Sequence, residues 1–164
     1  MLFDVDPSEL KQAKNAHELM MFNLAVIHIF APVGLLAMGA DPVYMVIPLV
    51  LAMGIIAFVF FKGRRLQSSG PWFVMVHWKL AFRRCQWLMI AYLITAIIMG
   101  AGLLIASGID QKTSREILIT VVSRFGVMPT VLMVMVSFVL ESAGIQSASK
   151  GEVPDGMVKR FPPQ

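Results

Sequence analysis

Hydrophobic residues in this chain gather into four long runs, and the charged residues crowd between and beyond them. The runs cover residues 19–39, 43–61, 86–106 and 117–140. A helix rises about 1.5 Å per residue, so about 20 apolar residues cross a hydrocarbon core of about 30 Å. Each run meets that length. The pattern predicts an all-α integral membrane protein in which residues 19–141 form a domain of four transmembrane helices.

The margins of the runs carry the punctuation. Residues 1–18 are polar, and Pro7-Ser8-Glu9 suits the first turn of a short helix. Ala40-Asp41-Pro42 predicts a tight turn after the first run. The second run stops at Lys62-Gly63-Arg64-Arg65, and Ser107-Gly108-Ile109-Asp110 ends the third. Residues 72–84 mix Trp72, Trp78 and other apolar groups with Lys79, Arg83 and Arg84, too charged a blend to span. Two readings stand side by side. One is an interfacial helix before the third span, with aromatic rings at headgroup depth and cations toward phosphates. The other is the exposed first turns of a long third helix. Residues 142–164 are rich in Ser, Gly and Pro and predict a flexible or partner-bound tail. The first run is longer than the apolar core of a secretory signal, so it is expected to remain in the mature protein.

Composition agrees with a membrane setting: 57% of residues are hydrophobic and only 15% charged, against roughly 25% charged in ordinary soluble chains. The net charge of +4 does not point to nucleic acid, because the cations sit at the ends of runs. The connection between the second and third runs holds Lys62, Arg64, Arg65, Lys79, Arg83 and Arg84. That between the first and second has none, and that between the third and fourth has only Lys112 and Arg115. Basic residues are retained on the cytoplasmic side. Both termini and the basic connection are therefore expected in the cytoplasm, in a multi-pass protein of the cell inner membrane. The single cysteine, Cys85, excludes an intrachain disulfide and an all-cysteine metal site within one chain.

Ionisable groups within a span are costly and so are candidates for function. His28 lies near the middle of the first run, with Pro32 one turn later to remove a backbone hydrogen bond from its carbonyl. It is the one weak cofactor-binding candidate. Against that stands a neutral imidazole bonded inside the protein. Arg124 lies about seven residues into the fourth run, roughly 10 Å from its outer end, and Gly126 and Pro129 suggest a distorted helix nearby. It is either an anion site between helices or a snorkelling side chain. A bis-histidine haem needs two histidines at one depth. His17 precedes the first run, His77 lies in the basic connection, and His28 is about 14 Å deep, so no such intramembrane pair is expected.

HExxH, paired CxxC and P-loop patterns are absent. The 13 methionines are scattered, as suits adaptable packing. Ala96 with Gly100, and Gly102 with Ala106, would let another helix come close. No catalytic residue, metal site or cofactor is predicted. The leading expectation is a non-catalytic subunit or assembly factor of a larger inner-membrane complex, of respiratory or secretion/conjugation type. Its partners would be other membrane subunits and lipid, docking through the 72–84 segment, the tail and the third span. One alternative is a homo-oligomeric small transporter or channel using His28 and Arg124. Another is a redox membrane subunit contributing to a quinone or haem site with a partner.

Overall fold

A computed structural model describes residues 1–163 and is helical almost throughout. In hydrocarbon a chain must satisfy its own backbone N–H and C=O groups, and a helix does so within one segment. Among the described residues seven α-helices follow one another: α1 Pro7–Phe22, α2 Ala31–Ala37, α3 Val46–Ser69, α4 Trp72–Ser107, α5 Lys112–Phe125, α6 Met128–Ser149 and α7 Asp155–Arg160. A π-helical stretch, Asn23–Phe30, joins α1 to α2 without a break. A 3-10 turn, Pro42–Met45, leads into α3. Four helical stretches are long and apolar enough to cross a membrane: Pro7–Ala37, Val43–Ser69, Trp72–Ser107 and Lys112–Ser149. The expected runs 43–61, 86–106 and 117–140 fall inside the last three, and 19–39 overlaps the first as far as Ala37.

Local chemistry sets the boundaries. Asp6 caps α1 by accepting from the Ser8 N–H at 2.7 Å, with Pro7 in the first turn, where its missing N–H costs nothing. Gly39 takes a left-handed φ of 67°, which only glycine adopts at no steric cost. Asp41 then accepts from the Val43 N–H at 2.9 Å to start the next turn. The fourth stretch is interrupted at Gly126 and Val127, between α5 and α6. The distortion expected near Arg124 is therefore present.

Two compact units divide the chain. The first comprises Met1–Cys85 and Ser137–Gln164, of which Gln164 lies outside the described residues; the second is Gln86–Val136. Within the second, a Cβ added at Gly102 would press into the Val122 side chain. The Gly102–Ala106 pair thus does bring a helix close, but that helix is α5 of this chain. The Thr95 and Thr130 hydroxyls also hydrogen-bond at 2.8 Å.

The first unit holds the larger departure from the sequence reading. Residues 72–84 are neither a separate surface helix nor exposed turns: they are the start of the 36-residue α4, and Phe73 through Trp78, Leu80 and Ala81 are buried. The tail expected to be flexible is helical to Ser149 and again over Asp155–Arg160. Between those helices Gly151 turns at φ 73°, and Glu152 pairs antiparallel with Leu2. The Phe3 N–H donates to the Gly151 carbonyl and the Val153 N–H to that of Met1, both at 2.9 Å. Val153 and Met157 enter one buried cluster with Ala13, Phe73, Met75, Val76, Leu80 and Ala148. Three polar margins, each too short to bury its few apolar residues alone, thus share one core.

That core predicts a measurable cost. Met157→Ala, which empties a fully buried site in the supposed tail, should destabilise the protein by about 2–5 kcal/mol, read by denaturation in mild detergent. Limited proteolysis should leave Lys150 uncut under native conditions. Cleavage there at the rate of an unfolded peptide would contradict a folded C-terminal segment.

Candidate functional site

Buried stripes at helical spacing position the site within the first unit. On α1 and its π-helical continuation the buried residues are Ala13, Ala16, His17, Met20, Asn23, Leu24 and Ile27. On α4 they include His77, Ala81 and Cys85, and on α6 Ser137, Glu141, Gly144 and Ala148. Steps of three and four residues keep each set on one helix face. Small residues in all three stripes let the backbones approach. At Gly144 the fit leaves no room for a side chain: a Cβ there would lie 2.5 Å from Arg84 Nη1 and 2.6 Å from His17 Cε1.

Against that glycine lies a chain of three hydrogen bonds, two buried and the last part-buried. His17 and His77 are 0% exposed and Glu141 is 1% exposed. His17 Nδ1 meets Glu141 Oε2 at 2.5 Å, and His17 Nε2 meets His77 Nδ1 at 3.0 Å. His77 Nε2 lies 3.2 Å from the Glu152 carbonyl oxygen. The two imidazoles stand edge to face at 88°. Arg84 brings positive charge to the carboxylate, with Nη1 3.7 Å from Glu141 Oε2, and donates to the Leu140 carbonyl at 2.6 Å. Next to it the Cys85 thiol donates to the Ala81 carbonyl at 3.1 Å and lies 3.3 Å from Met20 Sδ.

The partners fix where hydrogens must sit. A carbonyl oxygen only accepts, so His77 Nε2 carries a hydrogen and donates to Glu152. If His77 is neutral, its Nδ1 accepts from His17 Nε2–H. The remaining bond then needs one more proton, either on Glu141 as a carboxylic acid or on His17 as an imidazolium. A third arrangement fills every bond equally well: His77 is the imidazolium, His17 donates from Nδ1, and Glu141 is a carboxylate. One proton beyond neutral imidazoles and an ionised carboxylate thus occupies any of three positions, with all three hydrogen bonds made in each. Withdrawing it leaves one bond unmade in a buried place, at a cost of about 1–3 kcal/mol. The chemistry this permits is proton storage and transfer between Glu141 and His77.

The remaining candidates lie elsewhere. His28 is half-buried, with Nδ1 2.9 Å from the Asn23 carbonyl oxygen across the π-helical stretch. Arg124, in the second unit, is exposed near the end of α5 and forms no ion pair among the described residues. Of the residues assigned to a membrane or partner interface, most serve the first unit's interior. Trp72 donates from Nε1 to the Phe161 carbonyl at 2.8 Å. Trp78 is buried and donates to the Gln12 carbonyl at 3.3 Å. Arg84 joins the histidine–carboxylate chain, Lys79 bonds Gln67, and Arg83 alone of the five is exposed. An indole N–H cannot be buried unpaired at small cost, so those rings seek carbonyls inside the fold.

The pair that meets is therefore His17 and His77, the two histidines that the sequence puts outside the apolar runs. His28, the histidine within an apolar run, takes no part in the chain of bonds. The usable signal lay at the run ends: His17 just precedes the first run, Arg84 the third, and Glu141 just follows the fourth. All three ends belong to the side assigned to the cytoplasm, so their flanking polar groups are level. The two facing imidazole nitrogens bond each other, which leaves no gap for an iron held between them. Among the described residues no group of three His, Cys, Asp or Glu side chains converges as a metal site.

The close fit at Gly144 can be tested directly. Gly144→Ala should destabilise the protein by about 1–3 kcal/mol through overpacking and shift the His17 side-chain ¹⁵N resonances. Gly156→Ala, where an added Cβ meets nothing within 4 Å, should stay within about 0.5 kcal/mol of wild type. Equal behaviour of the two variants would show that His17 and Arg84 do not press on Gly144.

No family model, no curated protein and no solved structure matches this chain, so the functional reading stands on the geometry alone.

Proposed function

We propose that this protein is a non-catalytic subunit of a larger inner-membrane complex, and that its own chemical contribution is to hold and pass one proton along Glu141, His17 and His77. The observation that carries this is the run of three hydrogen bonds, two buried and one part-buried, from Glu141 to the Glu152 carbonyl. It can accommodate a mobile proton at any of three sites. The chain ends on a backbone carbonyl rather than on a nucleophile, so the reaction that supplies or consumes the proton belongs to a neighbour. The distribution of cations supports an orientation with both termini and the 62–84 connection in the cytoplasm.

Mild-detergent affinity purification with mass spectrometry identifies the neighbours, and Glu141→Gln then tests the relay inside the recovered complex. Glutamine keeps the shape and can still donate a hydrogen bond to His17, but it cannot release a proton. The variant complex should assemble normally and lose about 10²–10⁴-fold in proton-coupled turnover, the usual contribution of a positioned acid or base. Undiminished turnover in Glu141→Gln would sink the relay reading. Recovery of the protein with no other membrane subunit would sink the subunit reading.

A further inference from the structure

Two cations, from α4 and α7, lie over one aromatic ring in the first unit, and a third, Arg64 of α3, stands over the Phe60 ring near enough for its charge to act on Lys79. The Lys79 ammonium lies 4.3 Å from the centre of the Phe161 ring, and the Arg160 guanidinium 5.8 Å from it. Lys79 Nζ also donates to Gln67 Oε1 at 2.5 Å. That bond ties α4 to the end of α3, where Arg64 lies three residues before Gln67 and so on the neighbouring surface of the helix. Lys79 feels the positive charge of both Arg160 and Arg64. None of the three forms an ion pair among the described residues. Like charges gathered without a counter-ion repel one another, and these are held together by packing: a Cβ at Gly63 would lie 3.7 Å from Lys79 Cγ, and Trp72 and Phe161 flank the buried cluster.

The depth of the group follows from α3. Arg64 comes just after Phe60 and Phe61, the last residues of the 43–61 run, and its guanidinium lies 5.7 Å from the centre of the Phe60 ring. Phe61 is 65% exposed, as suits a side chain facing acyl chains. Aromatic rings and cations at the end of an apolar run mark headgroup depth. Cations packed between helices at that depth suit the phosphate of an anionic lipid.

We propose that Arg64, Lys79 and Arg160 form a specific site for the phosphate-bearing headgroup of an anionic phospholipid, with Phe161 beneath it and the acyl chains running along Phe61. Arginine contributes a planar fork of donors to phosphate oxygens and lysine a point charge.

The test titrates the purified full chain in neutral detergent with short-chain phosphatidylglycerol, short-chain phosphatidylcholine or inorganic phosphate, and follows thermal unfolding. Wild type should be stabilised by phosphatidylglycerol at concentrations where phosphatidylcholine and phosphate have no effect. The triple variant Arg64→Gln, Lys79→Gln, Arg160→Gln should bind phosphatidylglycerol on the order of 100-fold more weakly, from the summed loss of three surface cations. A control with the same charge removed elsewhere, Lys11→Gln, Arg115→Gln, Lys150→Gln, should respond like wild type. The proposal is overturned if wild type does not respond, if both triple variants respond alike, or if inorganic phosphate stabilises as well as the lipid. The last result would identify a soluble anion as the occupant.

Discussion

Glu141 sits almost out of reach of water, where an ionised carboxyl is tolerated only if other groups supply compensating charge and hydrogen bonds. His17 supplies a bond to Oε2 at 2.5 Å and Arg84 the nearby charge at 3.7 Å, while Oε1 has no hydrogen-bond partner among the described residues. Meeting that demand requires α1, α4 and α6 to come close at one level. Closeness in turn requires small residues on the facing stripes, and at Gly144 it requires the absence of any side chain. The first unit can therefore be read outward from one carboxyl: its partners choose the helix faces, and the faces choose which residues are small.

The same demand reaches the chain termini. The outer end of the relay donates to the Glu152 carbonyl, and the position of Glu152 is set by pairing with Leu2 and by the turn at Gly151. Val153 and Met157, on the far side of that turn, lock the segment into the core with Phe73 and Val76. The C-terminal segment is thus part of the site's support, and a proton on His77 lies directly under it. The Phe161 ring at its end links this support to the cations proposed to hold lipid. The proposed relay and the proposed headgroup site would then share a scaffold while using different residues.

Much of the fold was legible in the chain because hydrocarbon imposes a simple rule. A run of about 20 apolar residues with internal hydrogen bonding is readable from composition alone. The turn at Asp41 and the break at Gly126 were readable for a similar reason, since proline, aspartate and glycine act locally. The interior use of Trp72, Trp78 and Arg84 was not readable. Amphipathic side chains suit a membrane interface and a packed protein core equally well, and only the presence of other segments decides between them. The tail misled for the same reason: Val153 and Met157 carry no periodicity by themselves and acquire a buried face only when the N-terminal segment and α4 are in place.

The sequence by itself determined the helical class, the number and extent of the apolar stretches, and the uneven placement of cations along them. These follow from residue type and short-range spacing, which do not depend on what lies across the fold. Only the tertiary structure decided that His17, His77 and Glu141 form one chain. Their separations of 60 and 124 residues are bridged by helix packing, and nothing in local propensity encodes which faces meet. His28 and Arg124 stood out because they interrupt apolar runs, a local contrast. The groups that meet sit where polar residues are ordinary, at the ends of spans, and there position along the chain carries no sign of burial.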